Sequence, residues 1–182
     1  MIYIYRVFIA LLIIVLSGCS LDKAQSSSTN VEKHSDSQYM EANVIRVKDG
    51  DTFVAKVNGK EETVRLILVD TPETKHPHKP VQPFGEEASN FTKETLTNET
   101  VNLEIGVQER DKYGRLLAYV YLKDGTMFNK LLLSKGLARV VVFPPNTKYL
   151  EEFKNVSENA KSKGEGIWSI ENYVTEQGFN TN

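Results

Sequence analysis

The stretch from Thr63 to Val69 reads TVRLILV, a β-rich apolar run with a guanidinium at its third position. Such density of branched and apolar residues predicts a central strand. A charge there is costly to bury unless an anion meets it. Arg65 therefore either pairs with an internal carboxylate or points at an anionic ligand. The preceding sequence supplies strands to build around it. Val44, Ile45 and Val47 lead into Asp49-Gly50, a hairpin signal, and Thr52 to Val57 forms the return strand. Asn58-Gly59 is a second tight turn, so the three strands form a meander.

After Asp70, the residues Pro72, Pro77, Pro80 and Pro83 forbid regular structure and mark a long surface loop. A helix is predicted over Glu86–Leu96 with Ala88, Phe91 and Leu96 inward. Val101–Ile105 and Arg115–Leu122 read as strands, and Phe128–Lys135 as a helix closed by Gly136. Ala138–Phe143 is a short strand broken by Pro144-Pro145. Lys148–Lys163 is an amphipathic helix stopped by Gly164, with Trp168 as its packing anchor. The inventory predicts an α+β, mainly β domain: a five-stranded closed barrel of the OB-fold type with about three flanking helices.

One cysteine, Cys19, excludes an intrachain disulfide and a cysteine-based zinc site. It follows an apolar run, Val7 to Leu16, behind Arg6, the pattern of a signal peptide. The ending Leu16-Ser17-Gly18-Cys19 resembles a bacterial lipobox. That resemblance implies removal of residues 1–18 and lipidation of Cys19, anchoring the chain in the cell membrane with its domain on the extracytoplasmic side. The run is shorter than the ~20 residues a membrane span needs. Residues 19–39 are polar and read as a flexible tether with a reach of roughly 25 Å. The domain occupies 40–175, and 176–182 is expected to fray. The formal charge of -2 argues against a general nucleic-acid binder, so any basic surface must be local.

Several residues have the chemistry of a phosphodiester site. Asp51 ends the turn Asp49-Gly50-Asp51, and Asp70 ends the apolar run. If the first and third strands are neighbours at that end, the two carboxylates converge into a hard oxygen site that suits Ca²⁺ better than Zn²⁺. By default, however, the first is a turn residue and the second a strand-end cap. Glu73 has the chemistry to activate a water, or is a solvated loop residue. Arg115 starts an apolar strand as Arg65 interrupts one, and two arginines clamp a phosphate through forked hydrogen bonds. His76 and His78 form a metal-compatible pair, although loop histidines are commonly just exposed.

Together these residues form a pattern. Arg65-Leu-Ile-Leu-Val-Asp70-Thr71-Pro72-Glu73-Thr74-Lys75-His76-Pro77, with Asp49-Gly50-Asp51-Thr52 before it and Asp111-Lys112-Tyr113-Gly114-Arg115 after it, resembles the staphylococcal nuclease family. The similarity runs from about Tyr39 to Ile170. It implies an OB-fold endonuclease, monomeric, that cleaves DNA and RNA to 3′-phosphate ends with Ca²⁺. Asp51 and Asp70 would ligate the metal by carboxylate and Thr71 by its carbonyl. Arg65 and Arg115 would bind the phosphate, Glu73 would serve as base, and Lys112 and Tyr113 would line the substrate site. The family carries tyrosines before its Pro-Asn turn, whereas this chain reads Val140-Val141-Val142-Phe143-Pro144-Pro145-Asn146, with Phe143 the available aromatic. The rival is a catalytically dead binding module, which predicts loss of Arg65, Glu73 or Arg115. All three are present.

Overall fold

The computed structural model describes residues 39–74 and 81–180. Cys19, the tether up to residue 38 and the His76/His78 pair lie outside them.

The meander forms as the turn signals predict. β1 (Met40–Asp49) pairs antiparallel with β2 (Thr52–Val57), and β2 with β3 (Lys60–Leu66). Asn58 and Gly59 both take positive φ, as a tight hairpin requires. The apolar run is not one strand, however. β3 ends at Leu66, Leu68 turns with φ 63°, and the chain resumes as β4 (Val69–Asp70). Ile67 and Leu68 are buried even so, which accounts for their apolar character. The carbonyls exposed by the turn are taken up by one nearby side chain and one remote one. Arg65 Nη1 donates to the carbonyls of Leu66 at 2.7 Å and Val69 at 2.6 Å. Asn129 Nδ2 donates to that of Ile67 at 2.9 Å.

Helix α1 (Gly85–Leu96) follows the proline-rich segment, with Ala88 and Leu96 fully buried. β5 (Thr100–Arg110) is longer than predicted and bulges between Ile105 and Arg110, and β6 (Leu116–Tyr121) returns beside it. β5 also pairs with β1, and β6 runs parallel to β3 with Arg65 opposite Leu117, closing a five-stranded barrel in the order β1-β2-β3-β6-β5. The expected barrel is therefore the observed one. Its interior is filled by Phe53, Val64, Leu66, Leu103, Ala118 and Val120.

α2 (Phe128–Ser134) and α3 (Leu150–Ser162) pack together on the barrel. Between them, only Arg139–Val140 of the predicted strand 138–143 is extended; it forms β7, paired with β4. Past α3, Ile167 is fully buried and Trp168 only half-buried beneath Lys161, so the anchor is the isoleucine. Where fraying was expected, β8 (Val174–Thr175) pairs with β9 (Gly178–Phe179), and Phe179 packs on Tyr173 at 5.3 Å.

A polar cluster ties β5 to the approach of α3. Glu104, 5% exposed, accepts from Lys148 Nζ at 2.7 Å, Tyr149 Oη at 2.8 Å and Tyr121 Oη at 3.0 Å. Burial would raise its carboxyl, but these donors outweigh it and hold the group below its ordinary 4.5. A depressed folded value means the contribution is fully present above 4.5 and fades as pH falls through the folded value. We expect Glu104→Gln to lose about 1–3 kcal/mol near pH 7. Its urea-unfolding free energy should converge on that of the parent in acid; a gap independent of pH would contradict the assignment.

Candidate active site

The β1–β2 turn brings Asp51 against the start of the proline-rich loop. Gly50 permits this approach, since a Cβ there would lie 2.7 Å from Thr71 Oγ1. Asp51 Oδ2 accepts the Thr71 backbone N–H at 3.1 Å and its hydroxyl at 3.3 Å, while Thr52 Oγ1 donates to Oδ1 at 2.8 Å. The β2–β3 register sets Thr52 opposite Arg65, which brings the guanidinium to the same carboxylate. Arg65 Nη2 lies 3.0 Å from Asp51 Oδ2 and 3.4 Å from Asp70 Oδ1. The carboxylates do converge, but by another route than expected. β1 and β3 are not neighbours; β2 lies between them, and Asp70 belongs to β4 outside the barrel.

Of the two options for Arg65, the structure shows pairing with internal carboxylates. Arg139 extends the chain of alternating charge, with Nε and Nη2 each 2.8 Å from Asp70 Oδ2. Burial raises the Asp70 carboxyl and Asp51 adds to the effect, against the lowering influence of both arginines. Sequence reasoning missed Arg139. The signal was there: like Arg65, it is a cation within an apolar run.

Glu73 is positioned by backbone. Its N–H donates to Gln82 Oε1 at 2.7 Å and its carbonyl accepts the Gln82 N–H at 3.1 Å, so Gln82 ties the two ends of the loop together. Gly85 lets α1 start close behind, since a Cβ there would meet the Glu73 carbonyl at 3.0 Å. The carboxyl groups of Asp49 and Glu73 share a hydrogen bond, and Asp49 Oδ1 accepts from Gly50 N–H at 2.8 Å and Thr74 Oγ1 at 3.2 Å. Burial, reinforced by that shared hydrogen bond, raises Asp49 to about 7. Asp49, read as a turn residue, and Lys48, to which the sequence assigned nothing, both line the site.

The turn before β6 presents Arg115. Asp111 Oδ1 accepts the N–H groups of Tyr113 and Arg115 at 2.9 and 3.0 Å, and Oδ2 accepts Arg115 Nε at 2.6 Å. Burial opposes ionisation of Asp111, but the Arg115 hydrogen bonds prevail and keep its carboxyl low. Tyr113 is 72% exposed, with the Arg115 guanidinium 5.4 Å and Lys112 Nζ 5.0 Å from its ring centre.

All the main candidates line one open cavity of about 410 Å³: Asp51, Asp70, Thr71, Glu73, Arg65 and Arg115, with Lys48 and Asp49 beside them. Lys112 and Tyr113 line an adjoining hollow. Among the described residues no three His, Cys, Asp or Glu side chains form a metal cage by themselves. The donor set still fits a hard divalent cation. It is all oxygen, with the carboxyl groups of Asp49, Asp51, Asp70 and Glu73 lining one cavity beside Thr71.

Fold and site together define a small closed-barrel protein with a cleft of mixed charge, able to face a cation and a phosphate at once. Residues 63–170 match the family described as staphylococcal nuclease homologue. The chain is 51% identical over 126 residues to a thermonuclease of Staphylococcus hyicus, covering 69% of this chain and 74% of that one. It is 50% identical over 151 residues to the endonuclease YncB of Bacillus subtilis, with 81% and 71% covered. It is 48% identical over 145 residues to an SPbeta prophage-derived endonuclease, YokF, of the same species, covering 79% of this chain but only 49% of that longer protein. The chain belongs to the staphylococcal nuclease family.

Proposed function

We propose that this protein is a Ca²⁺-dependent endonuclease that hydrolyses phosphodiester bonds of DNA and RNA, leaving 3′-phosphate ends. The observation that carries this reading is the convergence of Arg65, Arg115, Glu73, Asp51 and Asp70 on one cavity. The endonuclease and thermonuclease names of its relatives agree with it.

Asp51, Asp70 and the Thr71 carbonyl would hold Ca²⁺, which supplies a positive centre for a phosphate oxygen. Arg115, aimed by Asp111, donates to the phosphate and takes up charge growing on its oxygens. Arg65 adds a second guanidinium at the cavity wall. Glu73 accepts the proton of the attacking water as the new P–O bond forms. The P–O5′ bond breaks, and the departing 5′ oxygen takes a proton from solvent. Tyr113 and Lys112 flank the chain on the exposed side. The protein acts as a monomer, tethered to the outer side of the cell membrane through a lipid on Cys19.

The test is plasmid degradation with Ca²⁺, with chelator, and with Glu73→Ser. Loss of cleavage in chelator and a fall of about a hundredfold in the variant are expected. Full activity in chelator would reject the metal reading, and an unaffected variant would reject Glu73. Cell fractionation of the parent and of Cys19→Ser tests the anchor; equal membrane retention would reject lipidation.

A further inference from the structure

Two further hollows adjoin the catalytic cavity, and all three meet at Arg115. A second hollow of about 540 Å³ shares Lys48, Thr52 and Arg115 with it, and a third of about 510 Å³ shares Arg65, Asp70 and Arg115. Tyr113 and Arg115 border both outer hollows and form the wall between them. One lies toward the β2–β3 face and the other toward β4, β6 and β7.

The two outer hollows differ in chemistry. Leu66, Leu68, Leu117 and Phe143 give the third an apolar lining suited to a base. The second has a mixed lining that includes Thr52, Glu62 and Thr63, and it holds Lys48, an exposed side chain whose Nζ donates to Thr63 Oγ1 at 3.0 Å. An ammonium has three donors, and this bond uses one while aiming the group along the strand face. The single acid there, Glu62, is spoken for: Arg110 Nη1 and Nη2 each bind one of its oxygens at 2.8 Å. With Glu62 paired to Arg110 and Arg115 to Asp111, the charge left to the hollow is that of Lys48, next to the hydroxyl of Thr63.

We propose that the hollow beside Lys48 and Thr63 is a phosphate subsite, holding the phosphodiester next to the scissile one in a single strand, across the Tyr113–Arg115 wall from the apolar hollow. This rests on the nuclease reading above. It makes Lys48 a residue that disfavours the bond at one end of a polynucleotide, the end whose bond has no phosphate on that side.

The test compares three thymidine dinucleotides: the plain dinucleoside monophosphate, its 5′-phosphorylated form and its 3′-phosphorylated form, each with Ca²⁺. For Lys48→Ala, the kcat/KM gain given by one terminal phosphate should fall roughly threefold to fivefold, while the gain given by the other stays. Lys48→Arg should retain both gains. Equal loss at both ends, or at neither, would overturn the subsite. A second measurement separates this from the nuclease reading itself. In EDTA, anisotropy of a labelled single-stranded octanucleotide should give a log Kd against log salt slope about 0.7 smaller for Lys48→Ala. An unchanged slope would overturn the subsite even if the parent cleaves DNA. A reduced slope would support it even if the parent cleaved none of the three dinucleotides.

Discussion

Arg115→Ala should lower cleavage of a defined single-stranded oligonucleotide on the order of a thousandfold in kcat/KM, since it removes a pre-aimed donor pair from the junction of the three hollows. The guanidinium is held by Asp111 at 2.6 Å and borders all three hollows. Arg115→Lys should recover only a small part, because an ammonium lacks the planar fork. Stability should hardly change. The Arg115–Asp111 pair is partly exposed, with about 0.5 kcal/mol at stake. Single-turnover cleavage with a parallel thermal melt checks both halves. Activity within tenfold of the parent, with the fold intact, would remove Arg115 from the machinery.

Asn129→Leu should have the opposite signature, a large loss of stability of about 2–5 kcal/mol from a side chain outside the cavity. Asn129 is fully buried; its Oδ1 accepts the Val120 N–H at 2.9 Å and its Nδ2 donates to the Ile67 carbonyl at 2.9 Å. Leucine keeps the branched shape with the same number of heavy atoms, and leaves both backbone groups without a partner in an apolar setting. The urea midpoint should fall with an unchanged slope. A loss below about 1 kcal/mol would mean that the backbone relaxes to satisfy itself.

These two residues also mark what a sequence reveals. The meander, α1 and the Gly136 stop were legible because tight turns and helix ends need particular backbone conformations, such as the positive φ of Asn58, Gly59 and Gly136. Arg65 stood out because a charge within an apolar run demands an anion. Asp51, Asp70, Glu73 and Arg115 looked ordinary one by one; only the family pattern joined them. The break at Leu68 was hidden, since Ile67 and Leu68 are as apolar as strand residues and are buried just as deeply. What turns the chain is remote: Asn129 lies 62 positions on, and Asp70 meets Arg139 across 69. No local window contains such pairings, so Asn129 passed as an ordinary helix residue and Arg139 as a strand residue.

The parallel junction of β3 with β6 has a kinetic corollary. Every other seam of the barrel is antiparallel, but this one joins residues 64–66 to 116–118, far apart in the chain. Arg65 sits on one side of it and Arg115 immediately before the other. A chain that has built its meander but not docked β6 holds only one of the two arginines in place. Such long-range closure is slow relative to hairpin formation. Recovery of cleavage after dilution from urea should therefore lag the early β-sheet signal and coincide with the last burial of the core, making enzymatic turnover a clock for ring closure.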